Sequence, residues 1–345
     1  RGKTSRNLKH KGQTHNIGRF LKYHPGGSNT LVGLKDADVT AALKATGHSS
    51  AAYELLKDYR VQEDNLHAPF REEGDLEVSH ISCLHTTQLL SLCVRLLQSL
   101  VDWDKPMLGQ VGKLGPKYKE WVLAPVDRKL RLFGSEFMEQ LTVTPWYLIP
   151  IVWVPVSIGL VYLGYIRFLT VASFTSFDPS SVYLWVSLMY LLGLVLWPMI
   201  EYSVHRWIFH LKPPDSSPFL ITVHFSLHGL HHKVPFDDRR LLLPPVPAAI
   251  LLSIAYFIYS QLFSYWSAPL VMAGTITGYT MYDLMHFYLH YGSPKEGTYL
   301  YTMKRYHNQH HFAHHEEGFG ISNNILDKIF GTLIHLKKLN RSLVW

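Results

Sequence analysis

Apolar positions in this chain gather in a few long runs. Trp146–Ile166 carries no charge over 21 residues, Val182–Ile200 none over 19 and Leu241–Phe263 none over 23. Ala268–Tyr282 is uncharged over 15. A helix crossing a bilayer needs about 20 apolar residues. The first three runs therefore predict membrane spans at 146–166, 182–200 and 241–263, and the fourth predicts a span at 266–283 that begins within the preceding hairpin. Upstream the pattern changes. Residues 67–120 read as a linker with an acidic patch (Glu72, Glu73, Asp75, Glu77) and an amphipathic run (Leu89, Leu90, Leu92, Val94, Leu96, Leu97, Leu100). That run suits a helix on the membrane surface or one packed on a neighbouring domain.

Composition agrees with the spans. Charged residues make up 17% of the 345, against about 25% in soluble domains. The formal charge of +7 is concentrated: residues 1–24 hold seven Lys or Arg and no acid, while residues 36–77 are acidic in excess. No basic helix with interleaved readout residues is present, so a membrane surface accounts for the charge and a nucleic-acid partner is not expected. Nothing at the N-terminus reads as a secretory signal peptide. The connector 167–181 has one base and the connector 264–267 has none, whereas Arg206, Lys212, Lys233, Arg239, Arg240, Lys295, Lys304 and Arg305 lie on the opposite side. The positive-inside rule puts that side and both termini in the cytosol.

The same side carries the chemistry. Ten histidines fall into tight groups: His205-x4-His210, His228-x2-His231-His232, His286-x3-His290 and His307-x2-His310-His311. Residues three or four apart share a helix face, so within the last three groups the imidazoles point together. The five-residue step from His205 to His210 does not fit that period and requires a helix end or a turn. One zinc-like site takes about four ligands, so ten histidines suit two ions. Cys83 and Cys93, the two cysteines, are outside any metal-type spacing, which leaves no iron–sulfur or disulfide framework. Ligating imidazoles commonly donate their second N–H to a carboxylate or carbonyl. Glu201, four before His205, and Asp283, three before His286, are candidates for that role, as are His224 and His314. Tyr282, Tyr288 and Tyr306 are placed to line the site. His10, His15, His67, His80, His85 and His335 read as ordinary.

Near the N-terminus, His24-Pro25-Gly26-Gly27 is followed by Gly33–Thr40, then Gly47-His48-Ser49 and an Ala/Leu-rich helix. Over residues 16–66 this order resembles the cytochrome b5 family. The resemblance implies a haem b held between axial ligands His24 and His48, and a one-electron carrier. Residues 1–15 show no β alternation, so the strands that family places before its first histidine are expected to be missing or altered, giving a shortened domain.

A haem domain, then Trp103-Asp104-Lys105-Pro106, then four spans interleaved with this histidine array resembles the fatty acid 2-hydroxylases, within the fatty acid hydroxylase and sterol desaturase superfamily. Further matching segments are Lys212-Pro213-Pro214, His231–Asp237, Pro244–Pro247 and Gly318–Ser322. The resemblance implies a mainly α fold: a small α+β haem domain (1–66), the linker (67–120) and a four-span helical membrane domain (121–345) with a cytosolic cap holding a dimetal site. It implies O2-dependent hydroxylation at C2 of a long-chain fatty acyl group for sphingolipids. Iron is the expected metal, with zinc able to occupy the same imidazoles in purified protein. Electrons would come from an NAD(P)H-dependent cytochrome reductase, in the endoplasmic reticulum membrane. A sterol or methyl-sterol oxidase and a haem-fused acyl desaturase are the nearest alternatives. A non-enzymatic metal-binding membrane protein is the alternative from another class, and it leaves the haem motif unexplained.

Overall fold

The computed structural model describes residues 6–18, 20, 21, 24, 31, 33–46, 48, 52, 53, 56, 59–61, 97–175 and 178–336. The acidic patch, the amphipathic run as far as Leu96, Pro25–Gly27, Gly47 and Ser49 lie outside the described residues. In chain order the elements are β1 (Asn7–His10), β2 (Gln13–Asn16), α1 (Thr40–Ala45), α2 (Leu108–Val111), a 3-10 segment (Gly112–Lys117), α3 (Tyr118–Val122), α4 (Glu136–Gln140), α5 (Leu148–Ala172) and α6 (Val182–Ser203). A π-helical turn (Val204–Phe209), α7 (Pro218–His224), a second π turn (Phe225–Gly229), α8 (Leu230–Lys233), α9 (Pro245–Leu262), α10 (Ser267–Tyr291), α11 (Tyr299–Phe312) and α12 (Ile325–Phe330) follow. The chain divides into two compact units, one of residues 1–131, 213–234 and 341–345, the other of residues 132–212 and 235–340.

The first unit corrects the expectation of missing N-terminal strands. β1 and β2 pair antiparallel, with Leu8 opposite His15. Lys11 and Gly12 make the turn at φ +50° and +74°, the left-handed pair that a two-residue hairpin needs. The alternation is present but one of its inward positions is a histidine: Leu8 and His15 are both buried, and His15 Nδ1 bonds the Leu56 carbonyl at 2.9 Å. Counting His15 as polar hid the strand. Further along, Lys233 is completely buried. Its ammonium donates to the carbonyls of Trp121 (2.7 Å) and Ala124 (2.6 Å) at the end of α3 and sits 4.4 Å over the Trp121 ring. Desolvation of that charge is offset by two hydrogen bonds and a cation–π contact.

The second unit is a helical bundle. Among the described residues, three helices are long and apolar enough to cross a membrane: Leu148–Ala172, Val182–Phe209 and Pro245–Leu262. The third begins at Pro245 and not at Leu241, because Pro244 and Pro245 start a helix well and cannot continue one. The fourth expected span forms the first part of α10, which runs on to Tyr291 through both His286 and His290. It is less apolar for a physical reason. α10 packs between α5 and α6 and is buried along most of its length, with Leu270, Val271 and Ala273 at 0% exposure. Small residues let the backbones approach there, as in membrane bundles generally. A Cβ on Gly274 would lie 1.9 Å from the Tyr190 carbonyl oxygen, and one on Gly193 would lie 1.9 Å from that of Val271. Because the obstacle is backbone, Gly274→Ala is expected to lower stability by about 1–3 kcal/mol. Thermal unfolding in detergent checks this, and an unchanged midpoint would show that α6 and α10 are less tightly apposed.

Candidate metal centre

The ligand-bearing segments owe their geometry to short departures from the α-helix. His205 lies in the π-helical turn Val204–Phe209 and His210 caps its C-terminal end, with His210 N–H donating to the His205 carbonyl at 3.1 Å. An i→i+5 bond widens the turn and brings residues five apart onto one face, which resolves the awkward five-residue step. The rings of His205 and His210 stand 5.0 Å apart, and those of His210 and His310 stand 4.8 Å apart. Within the second unit the donor nitrogens of His205, His210 and His310 lie within 4.8 Å of one another.

A second set converges on His307. Its Nε2 lies 3.0 Å from His286 Nε2, 2.8 Å from His290 Nε2 and 3.1 Å from His311 Nε2. A neutral imidazole has one N–H and one lone pair, so a single ring cannot satisfy three nitrogen neighbours at one atom. A cation at the point of convergence takes all four lone pairs at once, and this donor chemistry fits a metal ion. Burial holds the His310 imidazole well below its ordinary value, which favours the neutral form that ligates metal. In the first unit, His228 lies in the other π turn and its Nε2 is 3.0 Å from His232 Nε2, with His231 beside them on α8.

Carbonyls orient the rings. His205 Nδ1 donates to the Phe319 carbonyl at 2.6 Å and His310 Nδ1 to the Glu317 carbonyl at 2.7 Å. Both bonds direct Nε2 inward. The carbonyls belong to a loop whose next amides are gripped by carboxylates. Asp327 accepts Phe319 N–H and Gly320 N–H, each at 2.9 Å. Glu201 accepts Ile321 N–H at 2.8 Å, Ser322 N–H at 2.7 Å and the Ser322 hydroxyl. Glu201 thus supports the loop and not an imidazole directly. Lys304 is buried, donates to the Leu289 and His290 carbonyls at 2.8 and 3.0 Å, and so ties the end of α10 to α11. Burial pushes its ammonium down to about 7.

The other expected residues are spread more widely. Asp283 is buried one turn before His286, and its Oδ2 has no hydrogen-bond partner among the described residues. Tyr282 stacks on His286 at 5.8 Å and 28°, whereas the Tyr306 hydroxyl accepts the Ile334 N–H and Tyr288 is exposed. His224 Nδ1 lies 2.6 Å from the Tyr118 hydroxyl. His314 is at the surface, paired with Glu317 at 3.1 Å. Asp327 is absent from the sequence expectations and Lys304 enters them only as a base on the histidine-bearing side; a carboxylate a few residues after Gly318–Ser322 is the signal that points to Asp327.

In the haem-type motif, the His24 and His48 rings lie 6.1 Å apart and within 18° of parallel. Metal–imidazole bonds run about 2 Å and a ring centre lies roughly 1 Å beyond its nitrogen, so two imidazoles on opposite faces of one iron stand roughly 6 Å apart. His48 Nδ1 faces the Leu43 carbonyl at 3.2 Å and the Thr46 hydroxyl at 2.6 Å, leaving Nε2 for the metal. The pair fits a haem.

Known proteins show the same two parts. Residues 2–64 match the cytochrome b5-like heme/steroid binding domain family, and residues 190–332 match the fatty acid hydroxylase family. The chain is 40% identical to a fatty acid 2-hydroxylase of Homo sapiens, over 94% of this chain and 91% of the relative. It is 38% identical to a dihydroceramide fatty acyl 2-hydroxylase of Arabidopsis thaliana, over 69% of this chain and 94% of the relative. A solved structure described as full-length scs7p, with only its hydroxylase domain visible, is 29% identical. It superposes with a TM-score of 0.59 over 69% of this chain and 86% of that one.

Proposed function

The chain belongs to the fatty acid 2-hydroxylase family, and on that premise we propose that it adds a hydroxyl group at C2 of a long-chain fatty acyl group destined for sphingolipids. The convergence of His286, His290 and His311 on His307 is the observation that carries this reading. The proposed ligands of two ions are His205, His210, His228, His231, His232, His286, His290, His307, His310 and His311; within the second unit they gather as His205, His210 and His310 and as His286, His290, His307 and His311. Bound there, a redox-active pair, for which iron is proposed, would supply the O2 activation that side chains cannot provide.

The chain's own residues supply placement. The Phe319 and Glu317 carbonyls hold the His205 and His310 tautomers, Lys304 fixes α10 against α11, and the apolar helices keep an acyl tail out of water. α10 is proposed as the fourth, protein-lined crossing of a membrane domain at 121–345, which follows a haem domain at 1–66 and a linker at 67–120. His24 and His48 are the proposed axial ligands of a haem b. An NAD(P)H-dependent cytochrome reductase is the proposed electron donor, and the endoplasmic reticulum membrane, with termini and site cytosolic, the proposed location. Asp283 and His224 are proposed to support the site from outside the ligand sets.

Lipid mass spectrometry tests the reaction in cells lacking their own 2-hydroxylase. Expression of the chain is expected to raise 2-hydroxy sphingolipids. No rise from folded, haem-loaded protein would reject C2 hydroxylation and bring sterol substrates forward.

A further inference from the structure

Asp327 is fully buried on α12, and its contacts form a chain that ends on a candidate ligand. Oδ1 accepts the Phe319 N–H at 2.9 Å and the Thr332 hydroxyl at 2.7 Å. Oδ2 accepts the Gly320 N–H at 2.9 Å. The Gly320 N–H and the Phe319 carbonyl belong to one peptide group, and that carbonyl accepts His205 Nδ1–H at 2.6 Å. The path runs from carboxylate to peptide N–H, through the peptide to its oxygen, and on to the imidazole. Space for it is made by the glycine: a Cβ at position 320 would lie 1.9 Å from the Asn323 carbonyl oxygen and 2.9 Å from Asp327 Oδ2.

We propose that Asp327 is a positioning residue that sets the tautomer and donor strength of His205 through the Phe319–Gly320 peptide, and thereby the metal affinity of the His205 set in particular. Hydrogen bonds in series polarise one another, so a carboxylate on the N–H makes the carbonyl a stronger acceptor and the imidazole a stronger donor to metal. His310 provides an internal contrast. Its Nδ1 also bonds a carbonyl, that of Glu317, but the N–H of the same peptide, on Gly318, donates to the neutral Thr332 carbonyl at 2.8 Å. Glu201 provides another: it grips the amides of Ile321 and Ser322 and not the Phe319–Gly320 peptide. The charge therefore reaches the array at His205.

This inference rests on the two-ion reading above, and metal binding separates the two. The full chain, Asp327→Asn and Glu201→Gln are purified and titrated with zinc ion alone, with bound metal per chain measured by mass spectrometry and affinity by chelator competition. The parent and Glu201→Gln are expected to bind two ions. Asp327→Asn is expected to hold one ion at parent affinity and the other about 10–100-fold more weakly, the range for losing a partner of a ligating histidine. Two ions at parent affinity in Asp327→Asn would overturn the proposal, as would parallel loss of both ions in both variants, which is what a merely structural loop would give. A parent that fails to bind two ions would overturn the two-ion reading itself. Should Asp327→Asn aggregate, Thr332→Val decides: it removes one donor and keeps the carboxylate, so both ions should bind as in the parent, and a tenfold weaker first ion would reject the role of the charge.

Discussion

A chain carrying His307→Ala is expected to make 2-hydroxy sphingolipids at less than about one hundredth of the parent level, because losing a partner of a ligand already costs about 10–100-fold and His307 is itself a proposed ligand. The geometry makes this position the most severe of the ten. Three other Nε2 atoms lie 2.8 to 3.1 Å from His307 Nε2, so its removal opens the centre of a set and not its edge. The ring is 1% exposed, and alanine leaves a buried void lined by imidazoles that have lost their shared neighbour. The cell-based lipid assay reads the loss, and haem absorbance together with detergent gel filtration shows whether the protein still folds. A folded His307→Ala chain retaining a tenth or more of the activity would show that this set is structural. His314→Ala serves as the opposite case: its ring pairs with Glu317 at the surface, and activity should stay near that of the parent.

Much of this centre could be read before the structure, and the reason is periodicity. His286-x3-His290 keeps to the helical repeat, and both rings turn to His307 as that spacing predicts; in His307-x2-His310-His311 the spacing does not reveal that His310 turns to His205 and His210 while His311 faces His307. His205-x4-His210 departs from the repeat, because a π turn is a local rearrangement that leaves no repeat behind it. The hairpin at β1 and β2 was missed for a related reason: an inward histidine breaks a binary apolar–polar pattern that the backbone still obeys. α10 presents the converse problem. Hydropathy reports contact with lipid, and a helix surrounded by other helices is free to trade leucine for glycine and alanine. Asp327 and Glu201 were hidden in different ways. Glu201 was visible as a neighbour of His205, but its partners lie about 120 residues away in the loop. Asp327 reaches the array through a peptide group, a connection that no residue spacing encodes.

Replacing His24 and His48 together by alanine is expected to abolish haem absorbance and to reduce 2-hydroxylation to near that of cells without the chain, while leaving two metal ions bound. The rings of His24 and His48 carry this expectation. They are nearly parallel at 6.1 Å, a separation that suits two imidazoles on one iron, and each is proposed to supply one of the two axial bonds. Burial holds the His48 imidazole below its ordinary value, so the neutral, ligating form is favoured. A single replacement leaves one bond and should weaken haem retention only in part; the double replacement removes both. O2-dependent hydroxylation consumes two electrons for each hydroxyl group formed, and a haem held this way passes one at a time. The metal array is built from other segments, so its ions should remain. Each readout therefore tests a different link. Retained absorbance in the double variant would mean that other residues hold the haem. Full hydroxylation without haem would mean that electrons reach the metal centre by another route, and that the N-terminal domain serves some other purpose than supplying them.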